Sequence, residues 1–299
     1  MKTVKGLLGW VMVTAITLFV AQSCSKDDAA GDISNTDIAL AQDDAYADAL
    51  FDEVDNFVVS EVVTLDLNGY STGQLKSTGL ETCYTVTVDH PDLTTFPKVI
   101  TIDFGAGCSV VFNGDTITRE GQIIITITNR WYITGAEHSI TFNDFYINGV
   151  KLEGTRTITN LGMNMRNHFE QRVVLEAGKV IFNDTAWVSR EAEHVREWSR
   201  QLNPMNDTLW ITGSASGVNI LGEEYSRVIV EPLTLVHCAD VDFRWVIADG
   251  VVEVTNNVRG STTIDYNNSG CSGDVVISKN GNEYQYHFRY RSHRHRSEN

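Results

Sequence analysis

Glu191, His194 and Glu197 stand three residues apart and come nearest to metal chemistry in this sequence. On a helix they would share a face and could hold a cation, but E-x-x-H occurs once and carboxylate-bridged centres need two copies. Asp103 and Asp265 could suggest an aspartic-protease pair. That chemistry needs Asp-Thr/Ser-Gly, and here the next residues are Phe104 and Tyr266, so both are read as aspartates capping turns. Asp103-Phe104-Gly105 spells the kinase metal triplet without the other kinase motifs, and the centre of Gly213-Ser-Ala-Ser-Gly217 is Ala215 where a nucleophile elbow needs serine. The basic tail, with His287, Arg289, Arg291, Arg294, His295 and Arg296, reads as counter-charge to an acidic surface, ahead of an anion or metal face. No catalytic residue, metal ligand or cofactor is expected. What remains is binding. Trp131, Tyr132, Trp187, Trp198 and Trp210 would stack on sugar rings or pack on a partner if they face solvent, and would only fill core if they face inward.

One cysteine carries a different chemistry. Lys2 and Lys5 precede an apolar run from Gly6 to Val20, shorter than the roughly 20 residues a membrane-spanning helix needs, so residues 1–23 read as a signal peptide. Val20-Ala21-Gln22-Ser23-Cys24 resembles the bacterial lipoprotein signal, with Ala21 where that signal prefers leucine. The resemblance implies that Cys24 becomes the lipidated N-terminus. Ser25, Lys26, Asp27 and Asp28 resemble the export signal of Bacteroidota-type surface lipoproteins. It implies a partner, the outer membrane, an outward-facing location, and a flexible tether over residues 24–34. Acyl chains bury methylenes at about 0.8 kcal/mol each, enough for stable anchoring.

The chain has a formal net charge of −16, and loss of residues 1–23 removes two lysines more. Such a surface repels nucleic acid. Besides Cys24 there are Cys83, Cys108, Cys238 and Cys271, an even set in an oxidising compartment, which reads as two disulfides. Zinc would want tighter spacing such as C-x-x-C. Four cysteines allow three pairings.

The elements that must position these residues follow from periodicity. Tyr46, Leu50, Val54 and Phe57 or Val58 recur at helical spacing with acids between them, which predicts an amphipathic helix over 35–60 with a solvated acidic face. From 61 to 290 the pattern alternates, as in Ile123, Ile125 and Ile127 or Val275 and Ile277, the mark of half-buried strands. Asn68-Gly69, Asn113-Gly114, Asn148-Gly149, Asp249-Gly250 and Asn280-Gly281 read as hairpin turns. Residues 189–202, rich in helix formers, are read as an exposed strand. The expected fold is all-β: a large antiparallel meander forming a sandwich or curled barrel-like sheet, one N-terminal helix, and a disordered basic tail at 291–299.

Thr101–Gly114 and Thr263–Gly281 share T-I-D-aromatic, G-C-S and a final N-G, which suggests an internal repeat spanning 83–150 and 238–290. On that repeat the expected pairs are Cys83 with Cys108 and Cys238 with Cys271. With its Tyr146–Asn160 segment, "YINGVKLEGTRTITN", the body is similar to uncharacterised β-rich lipoproteins of the Bacteroidota, which implies no activity. The favoured function is a surface-tethered domain that binds an extracellular glycan or protein. A structural envelope or fimbria-like component is the alternative, and a glycan-active hydrolase or lyase comes third for want of a nucleophile, dyad or metal cluster.

Overall fold

The computed structural model describes residues 34–70, 83–112, 115–238, 244–267 and 269–287. The expected signal peptide, Cys24, the expected export signal at Ser25–Asp28, most of the expected tether, the Asn113-Gly114 pair and residues 291–299 lie outside them. Helix α1 (Asn35–Leu67) opens on a capping box: the Ser34 hydroxyl accepts from the Asp37 N–H, and Asp37 accepts from the Ser34 N–H. It runs a further two turns past the expected end at residue 60. The segment from Glu61 to Leu67 is rich in β-branched residues, but Val62 and Leu65 prolong the buried stripe of Leu50, Phe51, Val54 and Val58, and packing overrides weak local preference. Asn68-Gly69 is therefore no hairpin: Asn68 caps the helix and Gly69 turns the chain at φ 75°.

Fourteen strands follow: β1 (Thr85–Val88), β2 (Lys98–Asp103), β3 (Cys108–Phe112), β4 (Asp115–Ile127), β5 (Glu137–Ile147), β6 (Val150–Met163), β7 (Phe169–Ile181), β8 (Trp187–Ser199), β9 (Thr208–Val218), β10 (Glu224–Cys238), β11 (Arg244–Asn256), β12 (Gly260–Asp265), β13 (Asp274–Lys279) and β14 (Asn282–His287). Each pairs antiparallel with its sequence neighbours, except that β4 pairs with β3 along its first half and β2 along its second. The result is one continuous open sheet with β1 and β14 at its ends. Asn148-Gly149 and Asn280-Gly281 make the expected tight hairpins, all four residues at positive φ. Asp249-Gly250 does not: it sits inside β11 opposite a register break in β10, where a Cβ on Gly250 would fall 2.6 Å from the Pro232 carbonyl oxygen. That is a bulge.

The sheet curls around α1. The helix crosses the strands obliquely, from Lys279 of β13 and Tyr286 of β14 at its N-terminal end to Tyr84, beside β1, near its C-terminal end. Inward rows Ile100 and Ile102, Ile123, Ile125 and Ile127, and Val173 and Leu175 pack on the helix as one core. A second core of Leu209, Ile211, Leu233, Val252 and Ile277 lines the later strands, with Ile38 and Ala41 of the helix against it.

The disulfides join Cys83 to Cys108 and Cys238 to Cys271, with Cα atoms 5.3 and 5.8 Å apart and closing 25 and 33 residues. Loops of that size cost the unfolded chain roughly 3 to 4 kcal/mol each in entropy. The rhyming segments share a local turn. Asp103 accepts from the Gly105 N–H and Asp265 from the Asn267 N–H, while Phe104 and Tyr266 donate to the carbonyls of Gly121 and Gly250. In the first segment that glycine lies on the later strand β4, in the second on the preceding strand β11. The turn is repeated; the strand connectivity is not.

Candidate functional site

Two features are built from side chains that hydrophobic burial alone would not place where they are. The first is a seam of charge between helix and sheet. Asp44, Asp48, Asp52 and Asp55 recur at intervals of four, four and three, one stripe of α1. Opposite them stand Arg156 of β6, Arg190 and Arg196 of β8, and Arg227 of β10. Arg156 donates to Asp55 from Nε at 3.1 Å and from Nη2 at 2.8 Å, and to Asp52 at 2.8 Å. Arg196 pairs with the same two aspartates. Arg190 pairs with Asp44 and Asp48, as does Arg227. Arg119 to Glu53 at 2.6 Å and Lys279 to Asp37 at 2.9 Å flank the set.

The expected solvated acidic face of the helix is thus corrected. Asp55 is 2% exposed and its partner Arg156 1%. These charges survive burial because the count balances, four against four, and each arginine reaches a carboxylate, although Arg156 Nη1, Arg190 Nε and Nη2 and Arg196 Nε have no hydrogen-bond acceptor among the described residues. Burial alone would raise Asp48, but the neighbouring Arg190, His194 and Arg227 hold its carboxyl well below the usual carboxylate range. Such a seam fixes helix position and rotation on an apolar surface that would tolerate sliding.

The second feature is a solvent-open groove of about 390 Å³ at one end of the curled sheet, a size that suits a small ligand. The β4–β5 loop brings Trp131 and Tyr132, the start of β7 brings Phe169, and the end of β8 brings Trp198 and Arg200. The register explains part of this: Phe169 pairs directly across from Trp198, so their side chains share a face. Trp131 meets Phe169 edge-on at 5.7 Å, and Trp198 meets Trp245 likewise at 5.7 Å. The Asn160 side-chain amide donates to the Trp131 carbonyl at 2.8 Å and pins the loop. Tyr132 is 50% exposed.

Comparison with protein-family models, with curated proteins and with solved structures finds no match to this chain. Any function must be argued from its own geometry.

Of the five aromatic candidates, the structure gathers Trp131, Tyr132 and Trp198 in the groove. Trp187 lies at the opposite end of β8 under the Lys179 ammonium, 4.5 Å from its ring centre. Trp210 is on the other face of the sheet, stacked on His168 at 5.2 Å. Phe169 and Arg200 escaped sequence reasoning; the inward phase of β7 and β8 was the signal that would have found them. The seam arginines escaped too, although Arg190 and Arg196 hold inward phase in β8 and the four aspartates are spaced as one helix stripe.

Residues 189–202 are strand up to Ser199, as expected, but half-buried rather than exposed. Alternation splits Glu191 and Glu197 from His194. Glu191 accepts from the Ala177 N–H, Glu197 bonds His168 at 2.6 Å, and His194 is buried beside the seam. Among the described residues no three His, Cys, Asp or Glu side chains converge to hold a metal ion.

Proposed function

We propose that this chain is a lipid-anchored protein of the outer membrane, facing the exterior, whose curled β domain binds a glycan in the Trp131–Tyr132–Phe169–Trp198 groove. The observation that carries the binding reading is the convergence of four aromatic side chains from three separated segments around one open cavity. Sugar rings present C–H faces that stack on such side chains, while core aromatics close off their space. The seam supports the role: Arg156 of β6 and Arg190 and Arg196 of β8, with Arg119 of β4 beside them, hold the helix against strands whose ends and loops line the groove.

A glycan-array screen of the detergent-solubilised chain tests the reading. Discrete hits that weaken on Tyr132→Ala, at an exposed and therefore structurally tolerant position, are expected. A blank array, or hits indifferent to Tyr132, would remove the groove as a binding site.

The anchoring half of the proposal rests on Cys24 and has its own test. Cys24→Ala is expected to shift the protein from the membrane pellet to the soluble fraction, since no helix among the described residues is long and apolar enough to cross a membrane and the acyl chains would supply the attachment. A Cys24→Ala protein that still sediments with the outer membrane would show that something other than lipid holds it there.

A further inference from the structure

The groove contains a charge whose situation differs from that of the seam arginines. The guanidinium carbon of Arg200 lies 5.7, 5.8 and 5.3 Å from the ring centres of Trp131, Phe169 and Trp198. Arg156, Arg190, Arg196 and Arg227 all reach carboxylates. Arg200 is exposed and, among the described residues, has neither a carboxylate partner nor a hydrogen-bond acceptor. On a chain with 39 acidic residues against 23 basic ones, a cation left without an anionic partner inside an aromatic groove needs a reason.

We propose that the ligand of this groove is an acidic glycan, one whose uronic-acid carboxylate is bound by Arg200 while an adjoining sugar ring stacks on the aromatic wall. This rests on the glycan-binding reading above and adds to it the sign and type of charge on the ligand. Guanidinium donors form a planar fork that matches a carboxylate bidentately. Three rings around the guanidinium already restrict its motion, so less side-chain freedom is lost when an anion arrives. The ring faces favour the cation, and Arg200 is the charged side chain among the residues that line the groove. The overall negative charge of the chain repels anions in general, so recognition of an acidic sugar here requires a local cation, and Arg200 is the one in the groove.

The test is calorimetric titration of the detergent-solubilised full chain with uronate trisaccharides (galacturonate, glucuronate and mannuronate) and with their neutral methyl esters. At least one free acid is expected to bind tenfold or more tightly than its ester. Arg200→Ala should abolish that preference while the protein still melts in one cooperative transition, and Arg200→Lys should restore only part of it, because an ammonium lacks the fork. Equal affinity for acid and ester, or a preference that survives Arg200→Ala, would overturn the inference. If the array yields only neutral glycans, the charge assignment fails and groove binding stands. If it yields none, both fail.

Discussion

Arg156→Met is expected to lower the free energy of unfolding by about 3 to 5 kcal/mol, the usual cost of removing one partner from a buried ion pair. Met matches the arginine stem closely, so the loss reports charge more than volume. Arg156 is 1% exposed, and without it Asp55, buried at 2%, keeps only the Arg196 contact at 3.0 Å. The loss is large beside a typical net stability of about 5 to 15 kcal/mol. Adding Asp55→Leu should recover a part, because the double variant exchanges a pair for apolar groups instead of stranding one charge, and the cycle should show a coupling above about 1 kcal/mol. Urea unfolding with the disulfides intact measures it. A loss below about 1 kcal/mol would mean that the seam is hydrated and the aspartates behave as a solvated helix face after all.

The second large effect is a loss of stability in mild acid. His138 and His194 are buried, 5% and 3% exposed, each with an Nε2 that has no partner. Burial pushes His138 down to about 4. For His194 burial acts first, Arg227, Arg190 and Arg196 add to it, Asp48 opposes them, and the result is about 3. In the unfolded chain both titrate near 6.5. Between 6.5 and the folded values the unfolded state binds more protons than the folded one, so stability rises with pH across that window. It is fully present above 6.5 and is lost as pH falls toward 4. At roughly 1.4 kcal/mol per histidine per pH unit, moving from pH 7 to 5 costs about 4 kcal/mol, or on the order of 10 °C in the melting midpoint of a domain this size. Asp48, held low by its arginines, adds a loss of the same sign below the ordinary carboxylate range. Melting curves across pH 4.5 to 7.5 read the slope, and His138→Phe should flatten it. A level profile would show that both imidazoles are hydrated in the folded protein.

By itself the sequence determined the type of most elements, the features that rest on local pattern. Alternation such as Ile123, Ile125, Ile127 marks a half-buried strand whatever it packs against, because side chains alternate faces with period two. Asn148-Gly149 and Asn280-Gly281 set hairpins because positive φ costs those residues little. The spacing of Leu50, Val54 and Val58 marks a helix with a buried stripe.

What depended on long-range pairing waited for the tertiary structure. An acidic helix face looks the same in sequence whether water or arginine lies opposite, and Asp55 meets Arg156 across a separation of 101 residues. The same limit hid the groove. Trp131, Phe169, Trp198 and Arg200 come from three segments whose proximity follows from register and from the curl of the sheet, and neither is encoded in any short window. Asp249-Gly250 shows the converse: a local turn signal became a bulge because β10 continued alongside it, and the sheet's hydrogen bonding outweighed the dipeptide's preference. Local pattern decides which face of each element is buried, and only the closed contacts of the folded chain decide what it is buried against.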